Sequence, residues 1–182
     1  MPIAVHRAPM MDAERSFERI TRTDLKRLAR LAREEREDFF TRHPEWSLLY
    51  RRRMLCSALC EDAALHFLNG VTGVREFEVW VFYAEHAEAA FPYHLVSHRD
   101  YGKSKFGSAL DTDAYQGRRV GLTGRSLSCE PDEDPVAVLQ NYLRKGETPS
   151  ARELRRKAVV LIEPEAFLGY VVWPTLVVSV ER

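Results

Sequence analysis

Between residues 76 and 83 the chain reads Glu-Phe-Glu-Val-Trp-Val-Phe-Tyr. This segment constrains the fold more than any other. Aromatic and β-branched side chains crowd it, and it follows the turn residues Asn69, Gly70 and Gly73. It predicts a strand. Side chains alternate along a strand, so Phe77, Val79, Val81 and Tyr83 share one face and Glu76, Glu78, Trp80 and Phe82 share the other. Two carboxylates then stand side by side at one end of an otherwise apolar strand. Their repulsion raises the free energy unless a cation compensates it or water at a sheet edge screens it.

The segments around that strand predict an α+β chain. Residues 1–20 mix Pro2, Pro9, Met10 and Met11 with charges and show no period, which predicts a loose N-terminal arm ahead of one domain over residues 21–182. Thr23, followed by Asp24, reads as a helix cap, and Leu25, Leu28, Ala29, Ala32 and Phe39 keep helical spacing until Pro44. A second helix is expected from about residue 45 to Cys60, with Leu48, Leu49, Met54, Leu55, Ala58 and Leu59 on its apolar face. Residues 63–68 read as a short buried strand that forms an antiparallel hairpin with residues 76–83 across the glycine turn. Further on, residues 86–90 suggest a helical turn, 92–117 a loop-rich stretch and 118–122 another strand. Asp134-Pro135 opens a helix that Gly146 closes. Thr148-Pro149-Ser150 opens the next, with Ser150 and Glu153 at capping-box spacing, and Pro164 ends it. Residues 176–180 read as a final strand or an ordered tail.

The chain has 182 residues, with 27 Lys plus Arg against 27 Asp plus Glu. That balance argues against a chain-wide basic surface for non-specific nucleic-acid binding, and leaves room for a local basic pocket. No apolar run approaches the roughly 18–20 residues that span a bilayer, and residues 1–11 lack the apolar core of a signal peptide. The expected setting is cytoplasmic, with no membrane partner. Cys56, Cys60 and Cys129 are too few and too odd in number for a disulfide framework. Cys56 and Cys60 share a face if helical, but no second metal-binding pair accompanies them, so they read as small buried residues. His94 and His98 have helical metal spacing in loop-like surroundings, which reads as a chance pair. Gly102-Lys103-Ser104 resembles the end of a phosphate loop, but Ser97 stands where such a loop requires its first glycine.

The run from Ala64 to Val79 reads Ala-Leu-His-Phe-Leu-Asn-Gly-Val-Thr-Gly-Val-Arg-Glu-Phe-Glu-Val. It resembles the nucleotidyltransferase superfamily, whose pattern is a helix and strand, a glycine-containing loop, then a strand reading acidic-hydrophobic-acidic-hydrophobic. A wider resemblance to small bacterial nucleotidyltransferase-like proteins spans about residues 45–174, including 101–107, 118–127 and Val171-Val172-Trp173-Pro174. The resemblance implies a small mixed sheet with flanking helices. It also implies two Mg²⁺ ions that bridge Glu76 and Glu78, the catalytic carboxylates, and a nucleoside triphosphate whose phosphates meet Asn69, Gly70 and Gly73. Two departures accompany it. The Gly-Ser usual after the first strand is replaced by Asn69-Gly70-Val71. The position of the third carboxylate is Gly121, for which Asp111 or Asp113 would have to substitute.

A second candidate is the basic loop. Arg99, Lys103, Lys105, Arg118, Arg119 and Arg125 face only Asp100, Asp111 and Asp113 over residues 99–125, with Tyr101 and Phe106 between them. Arg99, Lys103, Lys105 and Arg119 are its candidate phosphate ligands; charge and stacking of this kind also suit a single-stranded nucleic acid, and the plain alternative is a solvated connection. Three functions follow as expectations. One is metal-dependent transfer of a nucleotidyl group to an acceptor. Another is a nucleotide- or nucleic-acid-binding module without catalysis, suggested by Gly121. The last is a structural or interaction role, such as one component of a toxin–antitoxin pair.

Overall fold

The computed structural model describes residues 15–92, 96–108 and 114–175. Within them, helices and one mixed six-stranded sheet form an α+β fold. Helix α1 (Arg22–Arg42) and the short α2 (Pro44–Tyr50) lead into strand β1 (Met54–Cys60), helix α3 (Glu61–Asn69) and strand β2 (Phe77–Ala84). Strands β3 (Val96–Asp100) and β4 (Arg119–Leu127) follow, then helices α4 (Pro135–Lys145) and α5 (Pro149–Arg155), and strands β5 (Ala158–Glu163) and β6 (Val171–Trp173). The order across the sheet is β3-β4-β2-β1-β5-β6. Strands β2 and β4 run parallel, and every other neighbouring pair is antiparallel.

Helix α1 forms where the sequence places it, but its cap is Thr21. The Thr21 hydroxyl accepts from the Asp24 N–H, and the Asp24 carboxylate accepts from the Thr21 N–H at 2.7 Å. This reciprocal box satisfies two donors that a helix start otherwise leaves open. Thr21→Ala is expected to lower stability by about 1 kcal/mol, read by urea unfolding. The buried side of α1 carries Leu25, Leu28, Ala29 and Ala32, which pack with Phe77, Val79, Val120 and Val160 of the sheet. The opposite sheet face buries Trp80, Phe82, Ala58 and Leu161 against Leu139 and Leu143 of α4 and Leu154 of α5.

Three expectations are corrected. Residues 54–60 form strand β1 and do not extend a helix, and residues 63–68 lie in α3 and do not form a strand. The hairpin across Gly70 is therefore absent, and the antiparallel partner of β2 is β1. Residues 158–163, read as the end of a helix stopped by Pro164, form strand β5. The cause is common to both strands. β1 and β5 lie inside the sheet with helices on both faces, so nearly every residue is buried and no alternation marks them as strands. Smaller differences follow. Residues 86–90 make no helical turn, the α5 cap is Thr148 and not Ser150, and residues 96–100, placed in a loop, form β3. The stretch 176–180 lies outside the described residues. Of the expected arm, Ser16 pairs with Val74 and Ile20 is buried. No helix among the described residues is long and apolar enough to cross a membrane.

Candidate functional site

A cleft of about 350 Å³ opens where β1 ends and β2 begins. Glu76 stands one residue ahead of β2, and Glu78 is the second residue of the strand. Both line the cleft, with Trp80 and with Thr123 of β4. The β1–α3 junction contributes Glu61 and Asp62, α5 contributes Glu153, and Arg15, Arg75 and Lys157 bring positive charge. The cleft thus gathers carboxylates and cations from distant parts of the chain, and the cations set how each carboxylate behaves.

Glu76 is paired. Arg119 Nε and Nη2 both donate to its Oε2, the first at 2.9 Å. Asp62 is held by Lys157 at 2.9 Å and by Arg15 at 3.1 Å. Burial acts to raise its proton affinity, but these bonds outweigh it and the carboxyl stays below its ordinary range. Glu61 accepts from Lys157 at 3.2 Å, yet burial still pushes its carboxyl up. Glu78 and Glu153 make no ion pair among the described residues. Burial, reinforced by Glu76 and opposed by Arg119, pushes the Glu78 carboxyl up to about 7.

The position of Gly121 has a local physical meaning. β2 and β4 are parallel neighbours, and Gly121 sits in register with Glu78. A Cβ built at Gly121 would lie 2.6 Å from Glu78 Oε2 and 2.8 Å from Oε1. The Glu78 carboxyl therefore lies over the bare glycine, in the space that a side chain at Gly121 would occupy.

The β1–α3 junction shows a related feature. Glu61 adopts φ +57°, the left-handed conformation that glycine takes at little cost. The first strand ends here, so Glu61-Asp62 occupies the junction after it, and Asn69-Gly70-Val71 does not. Glu61→Gly is expected to raise stability by about 1 kcal/mol through relief of this strain, net of the lost Lys157 contact. Urea unfolding of both proteins checks it.

The other sequence candidates lie elsewhere. Asn69 and Gly70 are at the far end of α3, about 13 Å along its axis from Glu61. There the Asn69 side-chain Oδ1 accepts from the N–H groups of Val71 and Thr72, and Gly70 is the left-handed cap of the helix. Gly73 donates its N–H to His66 Nδ1 and lies against Phe17 and Arg15. Arg99 is bound to Glu35 at 2.9 Å and to Asp38 on α1, and Lys105 is bound to Asp24 at 2.9 Å. Lys103 is exposed and holds Arg27 through its backbone carbonyl. Of the basic loop's candidate ligands, Arg119 alone reaches the acidic pair.

Cys56 and Cys60 lie four residues apart on β1, about 13 Å along a strand, both buried with their thiols pushed up by burial. Among the described residues no group of three or more His, Cys, Asp and Glu side chains is spaced to hold a metal ion. His94, Asp111 and Asp113 lie outside the described residues. Arg15, Glu61, Asp62, Glu153 and Lys157 escaped the sequence reading. The one available signal was the acidic pair Glu61-Asp62 after a buried run, which becomes a helix start only once residues 54–60 are recognised as a strand.

Comparison with protein-family models, with curated proteins and with solved structures finds no match to this chain.

Proposed function

We propose that this cleft binds a nucleoside triphosphate together with one Mg²⁺, on a nucleotidyltransferase-like frame. The observation that carries the reading is Glu78. It is a largely buried carboxylate that makes no ion pair among the described residues, beside Glu76, at the start of a strand that follows β1 and α3. A divalent ion brought in by a triphosphate supplies the missing positive charge, since Mg²⁺ commonly takes one or two protein carboxylates plus phosphate oxygens. Glu78 and Oε1 of Glu76, which has no hydrogen bond among the described residues, fit that role. Arg15, Arg75 and Lys157 border the same cleft, where phosphate oxygens would lie.

These residues do not fit a second ion. Gly121 offers no ligand, and Glu78 fills the space beside it. Binding is therefore favoured over turnover. Transfer is the second reading: burial pushes the Glu78 carboxyl of the free protein up to about 7, which suits it to accept a proton from an attacking hydroxyl if the metal is held by Glu76 instead.

Calorimetry with Mg²⁺ and each nucleoside triphosphate in turn tests the proposal, followed by assay for labelled product with candidate acceptors. Saturable binding that Glu78→Gln weakens at least tenfold, without product, supports the binding module. Labelled product supports transfer. Absence of heat with every nucleotide rejects both.

A further inference from the structure

Positive and negative side chains balance over the whole chain, but one stretch departs from that balance. Residues 144–157 hold Arg144, Lys145, Arg152, Arg155, Arg156 and Lys157 against Glu147 and Glu153 alone. The fold gathers these cations at one corner. Helix α4 ends at Gly146, a left-handed cap at φ +58°, and the chain turns directly into α5. A Cβ at Gly146 would stand 2.5 Å from Arg155 Nη1, so the bare glycine leaves room for Arg155 to lie across the turn. Arg155 Nη1 donates to the Arg144 carbonyl at 3.4 Å, and Arg152 donates to the Gly146 and Glu147 carbonyls at 3.0 and 3.1 Å. Arg152, Arg155 and Arg156 stand at i, i+3 and i+4, so they share one side of α5 and its C-cap.

The carbonyls at the end of α4 account for where Arg152 and Arg155 lie. They do not account for the charge around them. Arg144, Lys145, Arg152, Arg155 and Arg156 are all exposed, and none makes an ion pair among the described residues. The side chains of Arg144, Lys145 and Arg156 make no hydrogen bond there either. The basic stretch 99–125 differs, because carboxylates take up its cations: Glu35 and Asp38 bind Arg99, Asp24 binds Lys105 and Glu76 binds Arg119. Unneutralised cations clustered on one surface attract a polyanion, with release of its counterions. Lys157 carries the cluster to the edge of the Glu78 cleft, which it lines.

Two observations choose among polyanions. No exposed large apolar side chain of the described residues lies on α4 or α5, so the surface has nothing to insert among lipid headgroups. Beside the arginines stands Trp173 of β6, half-buried, its indole N–H donating to the Arg155 carbonyl at 2.8 Å. An aromatic ring held next to arginines offers an unpaired base a stacking surface, which an acidic peptide or a duplex leaves unused. We propose that the α4–α5 corner is a docking surface for single-stranded nucleic acid, with phosphates on Arg144, Lys145, Arg152 and Arg156 and a base against Trp173. The surface lies outside the Glu78 cleft, and the proposal stands whether or not that cleft takes up nucleotide.

The test uses the full chain without Mg²⁺ or nucleotide, so that it succeeds or fails apart from the cleft. The probes are fluorescein-labelled oligouridylate and oligothymidylate of about 12 nucleotides, a length within the site sizes of single-strand binders. Anisotropy titrations are expected to show saturable binding that weakens steeply with salt, and the tighter probe tells RNA from DNA. Arg144→Gln, Lys145→Gln and Arg156→Gln combined in one protein are expected to weaken binding about tenfold at about 150 mM salt and to lower the log–log salt slope by about 2. Unlabelled oligonucleotide is expected to quench indole fluorescence, and Trp173→Phe to remove that quenching. This signal decides should the triple variant not fold. No binding at low salt, undiminished binding by the triple variant, or quenching that persists in Trp173→Phe would each overturn the inference. Equal affinity for a duplex of the same length, for polyglutamate or for phosphatidylserine vesicles would overturn it as well.

Discussion

Arg36→Ala is expected to lower the unfolding free energy by about 3–5 kcal/mol, among the largest single losses the structure predicts. The Arg36 and Glu163 side chains are 11% and 8% exposed, so removal of the cation leaves a carboxylate buried with no partner. The pair itself is not a source of stability. Each ion keeps one unmet polar atom, so the attraction across 3.1 Å is set against incomplete compensation for two desolvated charges. The double substitution Arg36→Met with Glu163→Leu is therefore expected to recover most or all of the loss. Urea unfolding of the two single variants and the double variant forms a cycle that separates the cost of breaking the pair from the worth of having it. A double variant as unstable as Arg36→Ala would show that the pair holds α1 to the sheet by net attraction.

The second large effect depends on pH. The Glu78 carboxyl has an ordinary value of 4.5 and rises to about 7 in the folded protein, from burial first and then Glu76. Between these values the unfolded chain has released the proton and the folded chain still binds it. Stability therefore falls as pH rises through this window, and levels off above pH 7. Below pH 4.5 both states are protonated and the contribution vanishes. Glu78→Gln removes the titration. It is expected to be nearly neutral at pH 4 and stabilising, on the order of 2–3 kcal/mol, at pH 8. Thermal or urea unfolding across that range reads the slope directly. A variant that destabilises equally at both ends would mean that the Glu78 carboxylate is satisfied by a partner.

Helices α1 and α4 were legible in the sequence because each has one face covered and a strong end signal, and the acidic strand because aromatic and β-branched residues crowd it after a glycine turn. Asp24, Asp134-Pro135 and Gly146 are such signals, although the sequence places the cap of α1 at Thr23 and it is Thr21; the aromatic and β-branched run over 76–83 is another. Strands β1 and β5 were not legible. Their side chains are buried on both faces, which removes the period that distinguishes a strand from a helix, and Ala63 to Leu68 is short enough to read either way. The site followed the same division. Glu76 and Glu78 could be placed on one face from the sequence. Lys157, Glu153 and Arg15 come to line the same cleft only through the tertiary fold, which local pattern does not encode. The meaning of Gly121 also depended on pairing. In the sequence it is a missing carboxylate, and in the sheet it is the space that holds the Glu78 carboxyl.

The central claim is that Glu78, which makes no ion pair among the described residues, takes its cation from a Mg²⁺–nucleotide. The most direct measurement is a carbon-13 NMR titration of the Glu78 side-chain carboxyl, assigned by its loss in Glu78→Gln, with and without Mg²⁺ and nucleotide. The account predicts a midpoint near 7 in the free protein. It predicts a fall to about 5 or lower once the metal–nucleotide is bound, because a nearby cation favours the ionised form. A midpoint near the ordinary 4.5 in the free protein, or one that stays near 7 with Mg²⁺ and every nucleotide, would contradict it.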